Sequence, residues 1–293
     1  MIGRARDLLT PFDDGNPRVL ATGGFRIMAS PLREILSIDL NPDYRDAQAL
    51  VGVRAGGASR TAIAMVLGDL RGTPTFQLLD DFAGASLVAG WIWSLWSDDW
   101  LERMARFSAG ANGAPGRKMV DICTGFAEGA SSLTAEGLPG SNGQSRTPVG
   151  PLENPQDPLG WHQMPVQQGP RKRRARRIDV WRDADAIKID AAFQDSGSNP
   201  DGGRTAIHEY RLYAEVDAQS GILAALQVLP LILPYRECPG AAVKATRMIG
   251  HKLADFRNDV LETLPGPQGC THLNDVLRAL ADVPALALQL PDR

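Results

Sequence analysis

The residues best suited to chemistry are the few cysteines and histidines of the chain, and two of them stand two positions apart. The sequence has three Cys and four His, and Cys270 and His272 lie in the segment GCTHL, after a Gly/Pro turn and before a helical pattern. A thiol and an imidazole with this spacing can face one ion where the backbone turns into a helix, and the helix dipole there favours thiolate. The segment therefore predicts part of a metal site.

Two more residues of ligand type, His208 and Cys238, precede this segment in the same half of the chain. Two thiolates and one or two imidazoles suit the tetrahedral coordination of zinc, and ferrous iron is an alternative. We predict a site of His208, Cys238, Cys270 and His272, and leave open which histidine is the nitrogen ligand. Two buried thiols and two hydrogen-bonded imidazoles would give the same pattern. Cys123 is interpreted as a small core residue.

The elements that must position these residues occur twice in the sequence. In the first half, FRIMASPLREILSIDL predicts strand, turn and strand, and in the second half YRLYAEVDAQSGILAALQVL does so; helical patterns follow in both. When the two halves are aligned, Phe25 corresponds to Tyr210, and Asp80 corresponds to Asp275. We predict an α+β fold of two duplicated units, each of antiparallel strands followed by helices.

The comparison of the two units also acts as an internal control on the predicted ligands. In the first unit the positions of His208, Cys238, Cys270 and His272 are taken by residues that do not bind metals, namely Gly23, Ala47, Thr75 and Gln77. All four candidate ligands thus occur in the second unit and none in the first. This pattern predicts one site, carried by the second unit and supported by the first.

Composition divides the chain into three parts. Residues 1–110 form the predicted first unit without ligands, 111–170 a linker or long loops rich in Gly and Pro, and 171–293 the second unit with the Cys/His site. The middle part is too poor in apolar residues to offset the entropy lost on ordering its backbone. The basic run RKRRARR at 171–177 is interpreted as a solvated charge run.

Three residues near the predicted ligands are candidates for catalytic work. Arg236 could hold a substrate carboxylate through two hydrogen bonds, Glu237 could act as general base, and Tyr210 could donate a hydrogen bond. The matching segment Tyr44-Arg45-Asp46 of the first unit equally favours a structural ion pair. A stripe of Trp residues between 91 and 100 predicts either core packing or an aromatic wall for a flat substrate.

Several functional classes are disfavoured by composition and by absent motifs. A net charge of -3 argues against nucleic acid as a partner. The most apolar run, 82–96, is read as a buried helix, since its length of about 15 residues is short of the roughly 20 that cross a bilayer. The N-terminal segment lacks a secretory signal, so we expect a cytoplasmic protein. There is no Gly-x-Gly-x-x-Gly after a strand, no phosphate-binding P-loop and no Gly-x-Ser-x-Gly.

The C-terminal part of the sequence, roughly 178–285, resembles the iron-sulfur cluster scaffold proteins. In that family strands lead to a Cys that opens a helix, and the last helix begins with an adjacent His and Cys. Cys238 matches the helix-opening Cys, while His208 and Ala206 stand where the family has a liganding Asp and its first Cys. Cys270 and His272 replace the final His and Cys, in reversed order and one residue further apart. The resemblance implies the scaffold fold and a Cys/His site.

The same region is also similar to a bacterial family of unknown function, number 2889, whose members share the Gly-Cys-Thr-His-Leu ending. This second resemblance implies no activity. It is the closer of the two.

Two functions of different class fit these observations. The first is a metal-dependent enzyme, either a lyase that cleaves a C–C bond in a retro-aldol manner or a hydrolase, acting on a small organic substrate such as an aromatic compound. The second is a non-catalytic metal, iron-sulfur or sulfur carrier with a structural Cys/His site. We favour the enzyme because a cleft between two packed units is a natural pocket. A homodimer is left open.

Overall fold

The computed structural model describes residues 1–12, 15–87, 89–100, 102, 119–140, 146–161, 163–164, 166 and 168–291. The end of the predicted first unit and parts of the predicted linker lie outside these residues. The described residues form two antiparallel sheets, each followed in sequence by helices. The predicted α+β class is confirmed.

The first half of the chain forms a three-stranded sheet covered on one face by helices. Its strands, in spatial order, are β1 (Ile2–Leu9), β2 (Arg18–Ala29) and β3 (Ile35–Asn41). The helices are α1 (Gly57–Val66) and α2 (Pro74–Leu87), with 3-10 helices at Arg45–Leu50, Gly68–Leu70 and Ala89–Leu95. Side chains that alternate along the strands, such as Phe25 and Ile27, are buried against Phe76 and Phe82 of α2.

The second half forms a five-stranded sheet followed, in the described residues, by four α-helices with short 3-10 helices between them. The strands are β4 (Thr147–Val149), β5 (Lys172–Asp183), β6 (Ala186–Ser198), β7 (Arg204–Asp217) and β8 (Leu223–Ile232). The spatial order is β5-β6-β7, and both β4 and β8 pair with the other edge of β7. The helices are α3 (Gly240–Lys244), α4 (Phe256–Thr263), α5 (Thr271–Ala279) and α6 (Val283–Ala287).

The two halves share an arrangement that the sequence comparison predicted. The orders β1-β2-β3 and β6-β7-β8 are both antiparallel, and in each half the helices come after the strands. In this comparison β2 corresponds to β7, and α2 corresponds to α5. The duplication of one ancestral unit stays a prediction.

Described parts of the predicted linker pack against the second sheet. Strand β4 pairs with the beginning of β7, from Thr147 opposite Ala206 to Val149 opposite Arg204. Further upstream, Thr124 is buried, and its backbone N–H and hydroxyl donate to the Gly269 carbonyl at 2.8 and 2.9 Å. These contacts fix two pieces of the middle segment on the unit that carries the predicted ligands.

The basic run forms the beginning of β5, and its interpretation as a solvated charge run is wrong. The side chains of Lys172, Arg174 and Arg176 are at most 8 % exposed and are paired with carboxylates. Arg176 lies 2.8 Å from Asp81 of α2, and the Lys172 ammonium donates to the Ala85 carbonyl at 3.0 Å. The charges are buried because β5 lies where the two halves of the molecule meet.

Buried ion pairs also join the helices of the two halves. Arg278 of α5 lies 2.7 Å from Asp80 of α2, and Arg257 of α4 lies 3.8 Å from the same Asp80 carboxylate. Buried charges are tolerated only when they are paired and hydrogen-bonded, so these contacts fix the orientation of α2 on α5. None of the helices in the described ranges is long and apolar enough to cross a membrane.

Candidate metal centre

Three ligand-type side chains converge where β6, β7 and α5 meet. Asp195 of β6 and His208 of β7 are partners across the strand ladder, next to an irregularity in the register, and His272 lies in the first turn of α5. All three are buried, and each offers one ligand atom within 4.8 Å of the others. No other group of three His, Cys, Asp or Glu side chains in the described part of the chain meets this spacing.

The two imidazoles face each other and lack hydrogen-bond partners at one nitrogen each. Their rings stack with centroids 3.5 Å apart and planes 16° apart. His208 Nδ1 and His272 Nε2 are buried without a partner, and His272 Nε2 lies 3.7 Å from an Asp195 carboxylate oxygen. Buried polar atoms without partners are rare, and a bound cation would satisfy both nitrogens.

Burial keeps both imidazoles neutral, which is the form that binds metals. It lowers the pKa of His208 well below its usual value, and the neighbouring His272 adds to this effect. Burial likewise lowers the pKa of His272 to about 3, against the opposing attraction of Asp195. Neither ring therefore has to lose a proton before it can coordinate an ion at neutral pH.

The carboxylate of the group is held by two cations. Lys172 Nζ lies 2.8 Å from Asp195 Oδ1, and Arg174 donates to both carboxylate oxygens at 3.1 and 2.8 Å. Burial alone would raise the pKa of Asp195, but Arg174 and Lys172 hold it well below its usual value. Asp195 is therefore ionised, and an ion bound here would share it with these two cations.

Tryptophans of the first half lie over the end of β6, close in sequence to Asp195. A methyl group added at Gly197 would lie 3.1 Å from the Trp91 ring and 3.0 Å from Leu95. The Trp96 indole donates to the Ser198 carbonyl at 2.7 Å. The predicted Trp stripe thus packs between the two halves, on the strand that supplies the carboxylate.

The predicted cysteine ligands lie in a different cluster from the histidines. Cys238 and Cys270 are buried, and neither belongs to the Asp195 group. They lie with Cys123 around Tyr210: burial first, and then the thiols of Cys270, Cys238 and Cys123, raise the pKa of Tyr210 well above its usual value. The structure therefore divides the four predicted ligands into a histidine pair and a cysteine pair.

The remaining predicted residues have partners of a structural kind. The side chain of Arg236 is 81 % exposed and lies 2.9 Å from Glu237. Glu237 accepts hydrogen bonds from the Ser131 backbone N–H at 3.1 Å and hydroxyl at 2.8 Å. Its slight burial opposes ionisation, but the hydrogen bonds from Arg236 and Ser131 lower its pKa to about 2. A carboxylate with so low a pKa is a weak base at neutral pH.

The site lies in a part of the chain that matches a known family model. Residues 172–286 match the family described as "Protein of unknown function (DUF2889)". This segment is therefore similar to the DUF2889 family. It contains Asp195, His208 and His272, whereas Cys123 lies outside it. No curated protein and no solved structure matches the chain. The resemblance of the DUF2889 segment to iron-sulfur scaffold proteins therefore stays a prediction.

Sequence reasoning missed Asp195 and the two cations that hold it. The available signal was weak: Asp195 is the one charged residue in the stretch AAFQDSGS, and buried strands rarely contain an unpaired carboxylate. Lys172 and Arg174 belong to the basic run that was assigned to solvent. Their role follows only from the pairing of β5 with β6, which sets Arg174 opposite Asp195.

Proposed function

We propose that the chain is a metal-dependent enzyme whose ion is bound by Asp195, His208 and His272. The supporting observation is the pair of buried imidazole nitrogens without partners, which lie beside a buried, ionised carboxylate. Two nitrogens and one carboxylate oxygen suit zinc, which we favour, and ferrous iron as the alternative. Three protein ligands leave a coordination position for water or substrate, as catalytic sites require.

The proposed reaction is the retro-aldol cleavage of a C–C bond, or alternatively a hydrolysis, in a small organic molecule. The ion supplies a Lewis acid for a carbonyl or alkoxide oxygen of the substrate. In the retro-aldol case the substrate hydroxyl loses its proton and becomes a carbonyl. The adjacent C–C bond breaks, and its electron pair passes to the leaving carbon, which then takes up a proton. Lys172 and Arg174 fix Asp195 in place, so the ligand set is preorganised.

An aromatic substrate is supported by the tryptophans near the end of β6. Trp91 packs over Gly197, two residues from Asp195, and an indole face is suited to stack on a flat ring. Since the three ligands are buried, substrate entry requires that residues covering them move. We propose that the protein works in the cytoplasm on such a molecule, without nucleic acid, and a homodimer is compatible with this function.

Metal content tests the proposal directly. The wild type and each variant are purified, stripped of metal and reloaded with Zn²⁺ or Fe²⁺, and the bound metal is measured by inductively coupled plasma mass spectrometry. His208→Ala, His272→Ala and Asp195→Asn should each bind less metal than the wild type. His251→Ala is the matched control. His251 does not belong to the site, and its Nδ1 lies 2.8 Å from a carboxylate oxygen of Asp259. Circular dichroism would show that each variant is folded. Equal metal content in the wild type and the three site variants would overturn the proposal.

A second candidate function is the non-catalytic metal or sulfur carrier. It is favoured by the gathering of all three cysteines around Tyr210, because buried thiolate sites without an open position are typical of structural or carrier proteins. A carrier would release its ion to a chelating acceptor and show no turnover of aromatic β-hydroxycarbonyl compounds. Turnover that is lost in His208→Ala would exclude the carrier.

A further inference from the structure

The three cysteines of the chain come from three separate segments and meet at one place. Cys123 belongs to the middle segment, Cys238 lies two residues before α3, and Cys270 is the N-cap residue of α5. The backbone hydrogen bond from Thr124 to the Gly269 carbonyl, at 2.8 Å, joins the residue after Cys123 to the residue before Cys270. The convergence is therefore built into the backbone.

A glycine between two of the sulfurs shows how closely they approach. A methyl group added at Gly125 would lie 2.5 Å from Cys238 Sγ and 4.0 Å from Cys123 Sγ. Gly125 is itself buried. The absence of a side chain there thus leaves the space that these two thiols share.

The cluster includes a buried hydroxyl beside the thiols. Tyr210 is fully buried; its hydroxyl has no nitrogen or oxygen partner and faces the thiol of Cys270, with Cys238 and Cys123 also near it. A thiolate accepts a hydrogen bond from such a donor more strongly than a neutral thiol does. The cluster thus offers three sulfur ligands and one donor that would stabilise negative charge on sulfur.

We propose that Cys123, Cys238 and Cys270 form a second metal site, selective for a thiophilic ion such as Zn²⁺ or Cu⁺ and separate from the Asp195 group. Thiolate ligands select these ions over Mg²⁺ or Ca²⁺. On binding, each of the three thiols loses its proton to solvent and forms a bond to the ion, so three protons are released for each ion bound. The Tyr210 hydroxyl donates to one of the resulting thiolates.

Binding of one ion by all three cysteines requires that their side chains move. The three sulfurs are spaced more widely than the ligand atoms of the Asp195 group. The cysteine side chains would have to rotate about χ1 to bind one ion at sulfur-to-zinc distances of about 2.3 Å. The bound ion would then tie the middle segment to the starts of α3 and α5.

The experiment uses the full chain, stripped of metal and kept reduced, titrated with Cd²⁺ as a spectroscopic probe and with Zn²⁺ for stoichiometry. Wild type should show a sulfur-to-cadmium charge-transfer band in the ultraviolet. Cys123→Ser, Cys238→Ser and Cys270→Ser should each lose most of this band and bind zinc at least about tenfold more weakly at this site. His208→Ala should keep the band, which distinguishes this site from the Asp195 group.

Two controls keep the test decisive. Each cysteine is also changed to Ala, and the melting temperatures of the metal-free variants identify any that fail to fold. His251→Ala should bind both ions as the wild type does. A wild type without the band, or cysteine variants that keep it, would overturn the thiolate site and leave the Asp195 proposal standing. Metal content that is unchanged in His208→Ala, together with a band that depends on the cysteines, would overturn only the Asp195 proposal.

Discussion

At the scale of single residues, Arg174 connects the candidate site to the rest of the molecule. Its guanidinium lies 2.8 Å from Asp195 of β6 and 2.7 Å from Asp275 of α5, and its side chain is 4 % exposed. Removing one partner of a buried ion pair leaves an uncompensated charge, whereas an exposed pair contributes little. Arg174 should therefore matter for stability as well as for orienting the carboxylate.

This contrast gives a stability prediction. Arg174→Met should lower the free energy of unfolding by about 3–5 kcal/mol, because Asp195 and Asp275 would lose a buried partner. Lys188→Met is the matched control: its pair with Glu215 is partly exposed, and its loss should cost less than about 1 kcal/mol. Urea denaturation of the three proteins measures both values. Losses of equal size would contradict the assignment of Arg174 to a buried network.

Residue types alone identified the two histidines but not their companions. Cys270 and His272 are two positions apart, and the prediction that they share an ion assumed a turning backbone. Cys270 is instead the N-cap residue with extended backbone, whereas His272 lies within the first turn of α5, so the two side chains enter different clusters. This explains why Cys270 lies with Tyr210 while His272 lies with Asp195. Asp195 was missed because its position depends on the register of β6 against β7, which no local pattern reveals.

At the scale of elements, local patterns were sufficient for the strands that form hairpins. The predicted strand pairs correspond to β2 with β3 and to β7 with β8. The apolar run 82–96, predicted as one buried helix, contains the end of α2 and then the 3-10 helix Ala89–Leu95. Strand β5 was not predicted, since its many charges resemble a solvated segment and only distant partners make their burial possible.

The packing of α2 on β2 depends on a glycine, which gives a prediction at this scale. A methyl group at Gly23 would lie 2.5 Å from the Thr75 backbone nitrogen and 2.8 Å from the Pro74 carbonyl carbon. Backbone atoms cannot move aside cheaply, so Gly23→Ala should destabilise the protein by about 1–3 kcal/mol. At the neighbouring Gly24 the nearest atom is 3.5 Å away, so Gly24→Ala is the control. Similar melting temperatures for both variants would contradict this packing.

At the scale of the whole molecule, the two halves are joined by buried charged contacts as well as by the packing of Trp91 and Leu95 on β6. Carboxylates of α2 pair with arginines of β5 and α5, and the candidate metal centre lies on the same side of the second sheet as α5. These charges are far apart in sequence, so composition predicted a linker and two units but not the contacts between them. The interface places Trp91 against Gly197, two residues along β6 from Asp195, and the proposed aromatic substrate depends on this arrangement.

One like-charged contact across the two halves gives a pH-dependent prediction. Asp7 belongs to β1, and burial first, with the charge of Asp282 second, raises its pKa to about 6. The folded protein therefore keeps this proton at pH values where the unfolded chain, with a pKa near 3.8, has lost it. Stability from this group is highest in acid and falls as the pH rises from about 4 to above 6, because the unfolded state binds fewer protons there.

Asp7→Asn removes the titrating group and should flatten this part of the stability profile. At about pH 7 to 8 the variant should be more stable than the wild type, since an amide avoids both the buried charge and its repulsion by Asp282. The free energy of unfolding, measured in urea at several pH values between about 4 and 8, checks the slope. An unchanged slope in Asp7→Asn would show that this carboxyl is ionised and solvated in the folded protein, and that β1 does not approach Asp282 in solution.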